Sequence, residues 1–296
     1  MRRLTLAVIF ALGCAPALAA QQLAPPGTGG VASLDRALAH LATNRRVLLI
    51  GAHPDDEDTE LLTLLSRWMG VDAAYLSLSR GEGGQNLIGP ELGEGLGLVR
   101  TGELLAARSV DGAHQYFTRA FDFGFSKSLQ ETARFWPHDS VLADAMRVVR
   151  RFRPQVIVSV FSGTPRDGHG QHQMAGVIAR DVFQALKDSA WGPRKLYQNA
   201  RFDTSGTTVR LPSGQIDPVS GRSVLQIAMA GRSLHRSQDM GQVQRLGTSV
   251  IRLALVERSG QGGAGADRGL FDGVDTSLAS GLATFSALID SARTLL

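Results

Sequence analysis

Two short runs, VLLI at 47–50 and QVIVSV at 155–160, are apolar almost without interruption. A strand with one wet face alternates polar and apolar residues, whereas one that stays apolar belongs inside a parallel sheet covered on both sides. A third run at 73–78 is of the same kind, and helical patterns lie between the three. Strands that alternate with helices pair in parallel through right-handed crossovers. The expected fold is therefore α/β: a Rossmann-like, doubly wound, mostly parallel sheet with helices on both faces. With 296 residues, 43% of them hydrophobic, the chain can bury the core of one large domain or two smaller ones.

The helical segments carry their own signals. Leu34, Leu38 and Leu41 recur at helical spacing behind Ser33 as N-cap. A helix from Asp58 presents Leu61, Leu62, Leu65 and Trp68 as its core stripe; RTGELLAARSV (100–110) and residues 139–152 read as two more, and another begins near His172. SRGEGGQNLIGPELGEGLG (79–97) is a long glycine-rich connection at a strand's carboxyl end, the kind of loop that tends to carry function. Beyond Leu196 the pattern weakens. TTVRLPSGQI predicts a hairpin around Pro212, Ser213 and Gly214, residues 223–242 a helix, TSVIRLALVE a late strand, 260–269 a loop and 274–296 a helix. The last of these is an uncapped apolar pattern at the chain's end, as expected of a fragment of something longer.

MRRLTLAVIFALGCAPALAA has a basic start at Arg2 and Arg3, an apolar stretch to Leu12, and small residues at Ala17 and Ala19. This is the layout of a secretory signal peptide, too short to span a bilayer as a mature helix. The expected location is secreted or periplasmic, with lipid anchoring at Cys14 as the lesser alternative. Cys14 is the only cysteine, so without this segment the chain has no thiol for a disulfide or a metal. Any metal site must be built from His, Asp and Glu. Of 31 basic and 27 acidic residues, loss of Arg2 and Arg3 leaves 29 against 27, and no basic run interleaves with aromatics. Nucleic acid is not an expected partner. No other segment is apolar enough to cross a membrane.

The chemistry gathers where two buried strands end. IGAHPDDED (50–58) stops an apolar run with His53, Asp55, Asp56, Glu57 and Asp58 crowded together, and FSGTPRDGHGQH (161–172) follows the later strand with His169 and His172. Crowded carboxylates cost free energy unless a metal or a proton offsets them. An isolated HxxH or DD pair is ordinarily a solvated turn or a helix cap. Two such elements, each ending a parallel strand where ligands collect, point instead to a mononuclear metal site. Glu57 reads as a helix N-terminal acid and Asp58 as a cap; His114, His138 and His235 read as structural.

AHPDDE after an apolar strand, the GEGG loop, RTGELLAA and a distal HxxH together resemble the PIG-L/LmbE-like zinc-dependent deacetylases, over roughly residues 46–187, with a fainter echo in HRSQ (235–238). The resemblance implies a catalytic core over 33–200, preceded by a signal at 1–20 and a Gln-, Pro- and Gly-rich lead-in at 21–32, and followed at 201–296 by the C-terminal part of the catalytic domain. It implies His53, Asp56 and His172 as ligands of Zn²⁺, with Fe²⁺ as the other metal, Asp55 as general base, and His169 as an imidazolium facing the substrate. Arg100 matches a sugar-contacting arginine, or else is a surface partner of Glu103. Glu82 and Arg80 line the pocket or pin its loop. Relatives carry an aspartate inside HxxH where this chain has Gly170 and Gln171, and a tyrosine where it has Asp167. Asp167 is accordingly expected to face the substrate and supply the missing negative charge.

The function implied is hydrolytic removal of an acetyl group from an N-acetylated amino sugar or its conjugate, a small-molecule or glycoconjugate substrate. The alternatives are an amidase acting on a thiol conjugate, acyl peptide or lipid, and a non-catalytic zinc-containing carbohydrate-binding module. Neither oligomeric state nor acyl length follows from these residues.

Overall fold

The computed structural model describes residues 30–41, 43–201, 203–217, 220–240, 247–260 and 267–278. The expected signal, most of the lead-in and most of the expected C-terminal helix lie outside these residues. Seven strands, β1 (Arg46–Gly51), β2 (Asp72–Ser77), β3 (His114–Phe117), β4 (Val156–Ser159), β5 (Lys195–Asn199), β6 (Val209–Pro212) and β7 (Val250–Arg258), form one sheet in the order β3-β2-β1-β4-β5-β7-β6. The first five are parallel, and β7 runs antiparallel to both β5 and β6. The chain steps outward from β1 to β3 and then returns to lay β4 on the other side of β1. The order therefore reverses between β1 and β4, which opens a crevice at their carboxyl ends.

The helices described are α1 (Gly30–Leu41), α2 (Thr59–Thr63), α3 (Glu94–Asp111), α4 (Leu129–Thr132), α5 (His138–Phe152), α6 (Gly170–Leu186) and α7 (Val224–Arg232). The unbroken apolar strands feed two cores. Leu48, Ile50 and Ile157 pack with Val141, Val149, Ile178 and Val182 of α5 and α6 on one face, while Val47, Leu49 and Val158 pack with Leu61, Leu65, Leu104 and Val224 on the other. Continuous apolarity means burial on both sides, as the sequence predicts.

Several expectations are corrected. α1 begins at Gly30, so Ser33 lies inside it rather than capping it, and Leu34, Leu38 and Leu41 face solvent. α2 passes into a π-turn at Leu64–Trp68, which advances the helix face and buries Leu64 with Leu65 while leaving Trp68 45% exposed. α3 starts at Glu94, inside the glycine-rich stretch. The hairpin around Pro212 does not form: β6 pairs with β7, whose nine residues serve β5 on one edge and β6 on the other. The expected helix over 223–242 ends at Arg232, with Ser223 and Gln226 forming its capping box. The chain then turns, and His235 enters the interior.

Candidate metal centre and active-site cleft

β1 delivers its last residue, Gly51, beneath the ring of Tyr75, whose hydroxyl donates to His53 O at 2.7 Å. A Cβ on Gly51 would collide with Tyr75 Oη and press on Asp56 Cβ. Gly51→Ala is expected to cost about 1–3 kcal/mol through overpacking and to shift the loop it carries, read as a lower melting temperature with weakened metal uptake. After Gly51 the chain turns back sharply. Asp56 Oδ2 accepts the backbone N–H groups of Ala52 at 3.1 Å and His53 at 2.7 Å. That anchors one carboxylate oxygen and aims the other outward.

From the other side of the switch point, α6 starts with His169 as its N-cap, Nδ1 accepting Gln171 N–H at 3.2 Å. One turn on, His172 stacks flat on Phe161, centroids 4.0 Å apart. Its Nε2 lies 3.4 Å from Asp56 Oδ1, while His53 Nδ1 lies 3.2 Å from Asp56 Oδ2. Ligand-capable atoms of His53, Asp56 and His172 all fall within 4.8 Å of one another. These are the three residues that the resemblance implies as ligands, brought together from positions over a hundred residues apart.

The donor set suits a divalent metal. Two imidazole nitrogens and one carboxylate would hold such an ion by three protein groups, the number that catalytic rather than structural zinc sites use. His172 Nδ1 faces the carbonyl of Asp167 at 3.4 Å; a carbonyl only accepts, so Nδ1 carries the proton and Nε2 turns its lone pair to the cluster. The charges agree. Burial alone would lower His53, but Asp56 beside it outweighs this and raises it to about 9. Asp56, which burial would raise, is held well below the usual carboxylate range by His172 and His53. The pocket is built to hold positive charge.

Asp55 takes no part in this cluster. Its backbone sits at φ 100, a region that side chains other than glycine's rarely enter. The conformation is held from three directions: Asp55 N–H donates to Glu57 Oε2 at 2.8 Å, Arg100 donates to Asp55 Oδ1 at 2.8 Å, and Arg232 donates to Asp55 O at 3.3 Å. Strain of this kind costs about 1–3 kcal/mol and persists only where neighbours over-determine it. Burial pushes the Asp55 carboxyl up to about 6, against the opposing pull of Arg100. A carboxylate so placed can exchange a proton near neutral pH.

The remaining residues sort by position. His169 lies beside both histidines, centroids 5.3 Å from His53 and 4.9 Å from His172. Burial, then repulsion from those two rings, lowers it to about 4. It is therefore neutral at pH 7 rather than the expected imidazolium, and with Nδ1 accepting, its proton sits on Nε2. Arg100 is buried and paired with Asp55, not a surface partner of Glu103, which instead accepts from Ser237. Asp167 lines the cleft, but its carboxylate accepts from Ser162, Gly163 and Thr164, so it shapes its own loop. Glu82 accepts from the backbones of Arg80 and Asp122, and Arg80 lies over Phe117 at 4.1 Å and donates to Thr101. Of the two readings for this pair, pinning the loop is the one their contacts match. Asp58 caps α2 through Leu61 N–H as expected. His114 pairs with Asp72, and His138 with Asp139 and Asp181.

Glu57 is not a dipole-favoured surface acid. It is wholly buried, accepting from His235 Nε2 at 2.7 Å and lying 3.4 Å from Arg108. Sequence reasoning missed this link, and with it Arg232 and Asp122, and marked Gln171 only as a departure inside HxxH. The HRSQ echo was the one signal toward His235. A cleft of about 1360 Å³ is lined by His53, Asp55, Asp56, Arg100, His169 and His172 among others.

A doubly wound α/β domain with a His-Asp-His cluster and an adjacent free-standing carboxylate at its switch point belongs to a recognisable class. Residues 48–183 match the family described as PIG-L: GlcNAc-PI de-N-acetylase. Two curated relatives, both 1D-myo-inositol 2-acetamido-2-deoxy-alpha-D-glucopyranoside deacetylases, are each 32% identical. The one from Geodermatophilus obscurus aligns over 52% of this chain and 58% of its own length, and that from Thermobifida fusca over 53% and 63%. The chain thus spans about three fifths of the length of these relatives. Among solved structures, N,N'-diacetylchitobiose deacetylase from Pyrococcus horikoshii is similar at 17% identity, with a TM-score of 0.49, over 70% of this chain and 75% of its own.

Proposed function

We propose that this chain is a metal-dependent amidohydrolase that removes an acetyl group from an N-acetylated amino sugar or its conjugate. The observation that carries the reading is the His53, Asp56 and His172 cluster with Asp55 beside it but outside it. A purely structural zinc site has no use for a strained fourth residue held next to an open position. The deacetylase names of the relatives support the substrate class, and a cleft of about 1360 Å³ has room for a glycoconjugate around a scissile amide.

A metal held by these three residues supplies Lewis acidity and a water acidic enough to react near pH 7. Asp55, beside the cluster, would act as the proton carrier, its carboxylate taking a proton from an attacking water and returning it to the departing amine. His169 donates through Nε2–H to the carbonyl oxygen as negative charge develops there. Arg100 and Arg232 hold Asp55 rather than touch the reacting atoms. Zinc suits the two nitrogens and one carboxylate, with iron(II) as its rival. The signal-like residues 1–20 support a secreted or periplasmic location.

The test is primary-amine release from a panel of N-acetylglucosamine derivatives, with zinc, with iron(II) and after chelation. Release that chelation abolishes and metal restores is expected. Stoichiometric metal uptake with no release from any member would remove the amino-sugar assignment.

A further inference from the structure

Gln171 stands one residue before His172, on the first turn of α6, and is fully buried. Its side chain reaches away from the helix to the other imidazole of the cluster, with Oε1 2.5 Å from His53 Nε2. On its far side Gln171 Nε2 donates to Asp122 Oδ1 at 3.1 Å, and Asp122 is itself buried and accepts Gly124 N–H through the same oxygen at 2.9 Å. We infer that Gln171 and Asp122 form a two-residue relay that orients His53 and sets the metal affinity of the cluster.

The argument follows from donors and acceptors. A carboxylate only accepts, so Asp122 fixes which end of the Gln171 amide it receives, and that must be the NH₂. The carbonyl end is then forced toward His53. An amide carbonyl also only accepts, so His53 must offer Nε2–H, which leaves Nδ1, on the Asp56 side, as the nitrogen whose lone pair a metal would take. Groups that hold a ligand histidine in one tautomer and one ring orientation typically govern affinity by about 10- to 100-fold. Asp122 Oδ2 is also 3.8 Å from His53 Nε2, too far for a hydrogen bond, so its influence on the ring's orientation passes through the glutamine. Gln171 and Asp122 act on the cluster through His53 and are positioning residues.

The inference rests on reading the cluster as a metal site, and its test needs no turnover. Cobalt(II) or zinc affinity is measured by chelator competition for the wild type, Gln171→Met and Asp122→Asn, with thermal melting of each metal-free chain as the control for folding. Gln171→Met keeps the volume and loses both hydrogen bonds, so affinity should fall about 10- to 100-fold and the cobalt absorption spectrum should change. Asp122→Asn keeps Oδ1 as acceptor for Gly124 and Gln171, so its affinity should stay close to that of the wild type. If Gln171→Met does not fold, Gln171→Asn withdraws the acceptor by one methylene and should show the same loss. Unchanged affinity in a folded Gln171 variant overturns the relay alone. An equal loss in Asp122→Asn overturns it in favour of direct charge. Failure of the wild type to bind either metal overturns the metal reading together with the relay.

Discussion

Asp55→Asn is expected to reduce amine release by about 10²- to 10⁴-fold while leaving metal uptake intact. That is the range a positioned general base contributes. The substitution is nearly isosteric, and the backbone bonds that hold the loop, from Asp55 N–H to Glu57 and from Arg232 to Asp55 O, do not involve the carboxylate. The ligands His53, Asp56 and His172 are untouched, so calorimetry should return wild-type stoichiometry. pH dependence supplies a second check. A base must be ionised to act, so the rate should rise with pH along an acid limb. Burial places the Asp55 carboxyl at about 6, and a bound cation can only lower it further, so the limb should lie at or below about pH 6. An Asp55→Asn protein that keeps wild-type turnover would remove Asp55 from the mechanism. One that loses its metal would make it a ligand.

Glu57→Ala is expected to destabilise the fold by about 3–5 kcal/mol, the usual cost of breaking a buried charged network from one side. For a domain of this size that lowers the melting temperature by on the order of 10 °C. Three groups lose their acceptor at once: the His235 ring, the Asp55 N–H and, in part, Arg108, which keeps Asp111. Glu57→Gln should cost less, because it retains the shape and one acceptor. The pH dependence has a definite sign. Burial would raise the Glu57 carboxyl, but His235 and then Arg108 hold it down to about 2, against an ordinary value of 4.5. A carboxyl depressed in the folded state stabilises fully above its unfolded value and loses that contribution as pH falls from about 4.5 to about 2. Acid titration of wild type and Glu57→Gln should therefore converge at the bottom of this window. Parallel curves across it would mean that the charge contributes nothing. Because Glu57 also holds the Asp55 backbone, kcat should fall in Glu57→Gln even at temperatures where the protein is fully folded.

Much of the site could be read from the sequence because its signals are local. Continuous apolarity over four residues means burial on both faces whatever else the chain does, and that was enough to predict parallel strands and helices on both sides. Asp58 caps α2 through a bond spanning three residues, and AHPDDE and HxxH lie at the ends of their own strands. The rule that ligands gather at carboxyl ends then sufficed to bring His53 and His172 together.

Other features depended on partners distant in sequence. Trp68 was expected inside because its spacing fits an α-helix; the π-turn that moves it outward is a matter of packing, not of periodicity. β6 seeks β7 across some forty residues because a nine-residue strand offered two free edges. Glu57 looks like any acid at a helix start until α7 and the turn after it carry Arg232 and His235 to the same loop. Asp122 has no motif at all, and Gln171 looked like a defect in HxxH until its amide was seen to lie between Asp122 and His53. The sequence by itself determined the apolar strands at the centre of the sheet, the cap at Asp58 and the residue types available to hold a metal, since each follows from a residue and its near neighbours. Tertiary structure alone decided which buried partners orient those groups, because a hydrogen bond between residues 178 positions apart leaves no periodic trace in the chain.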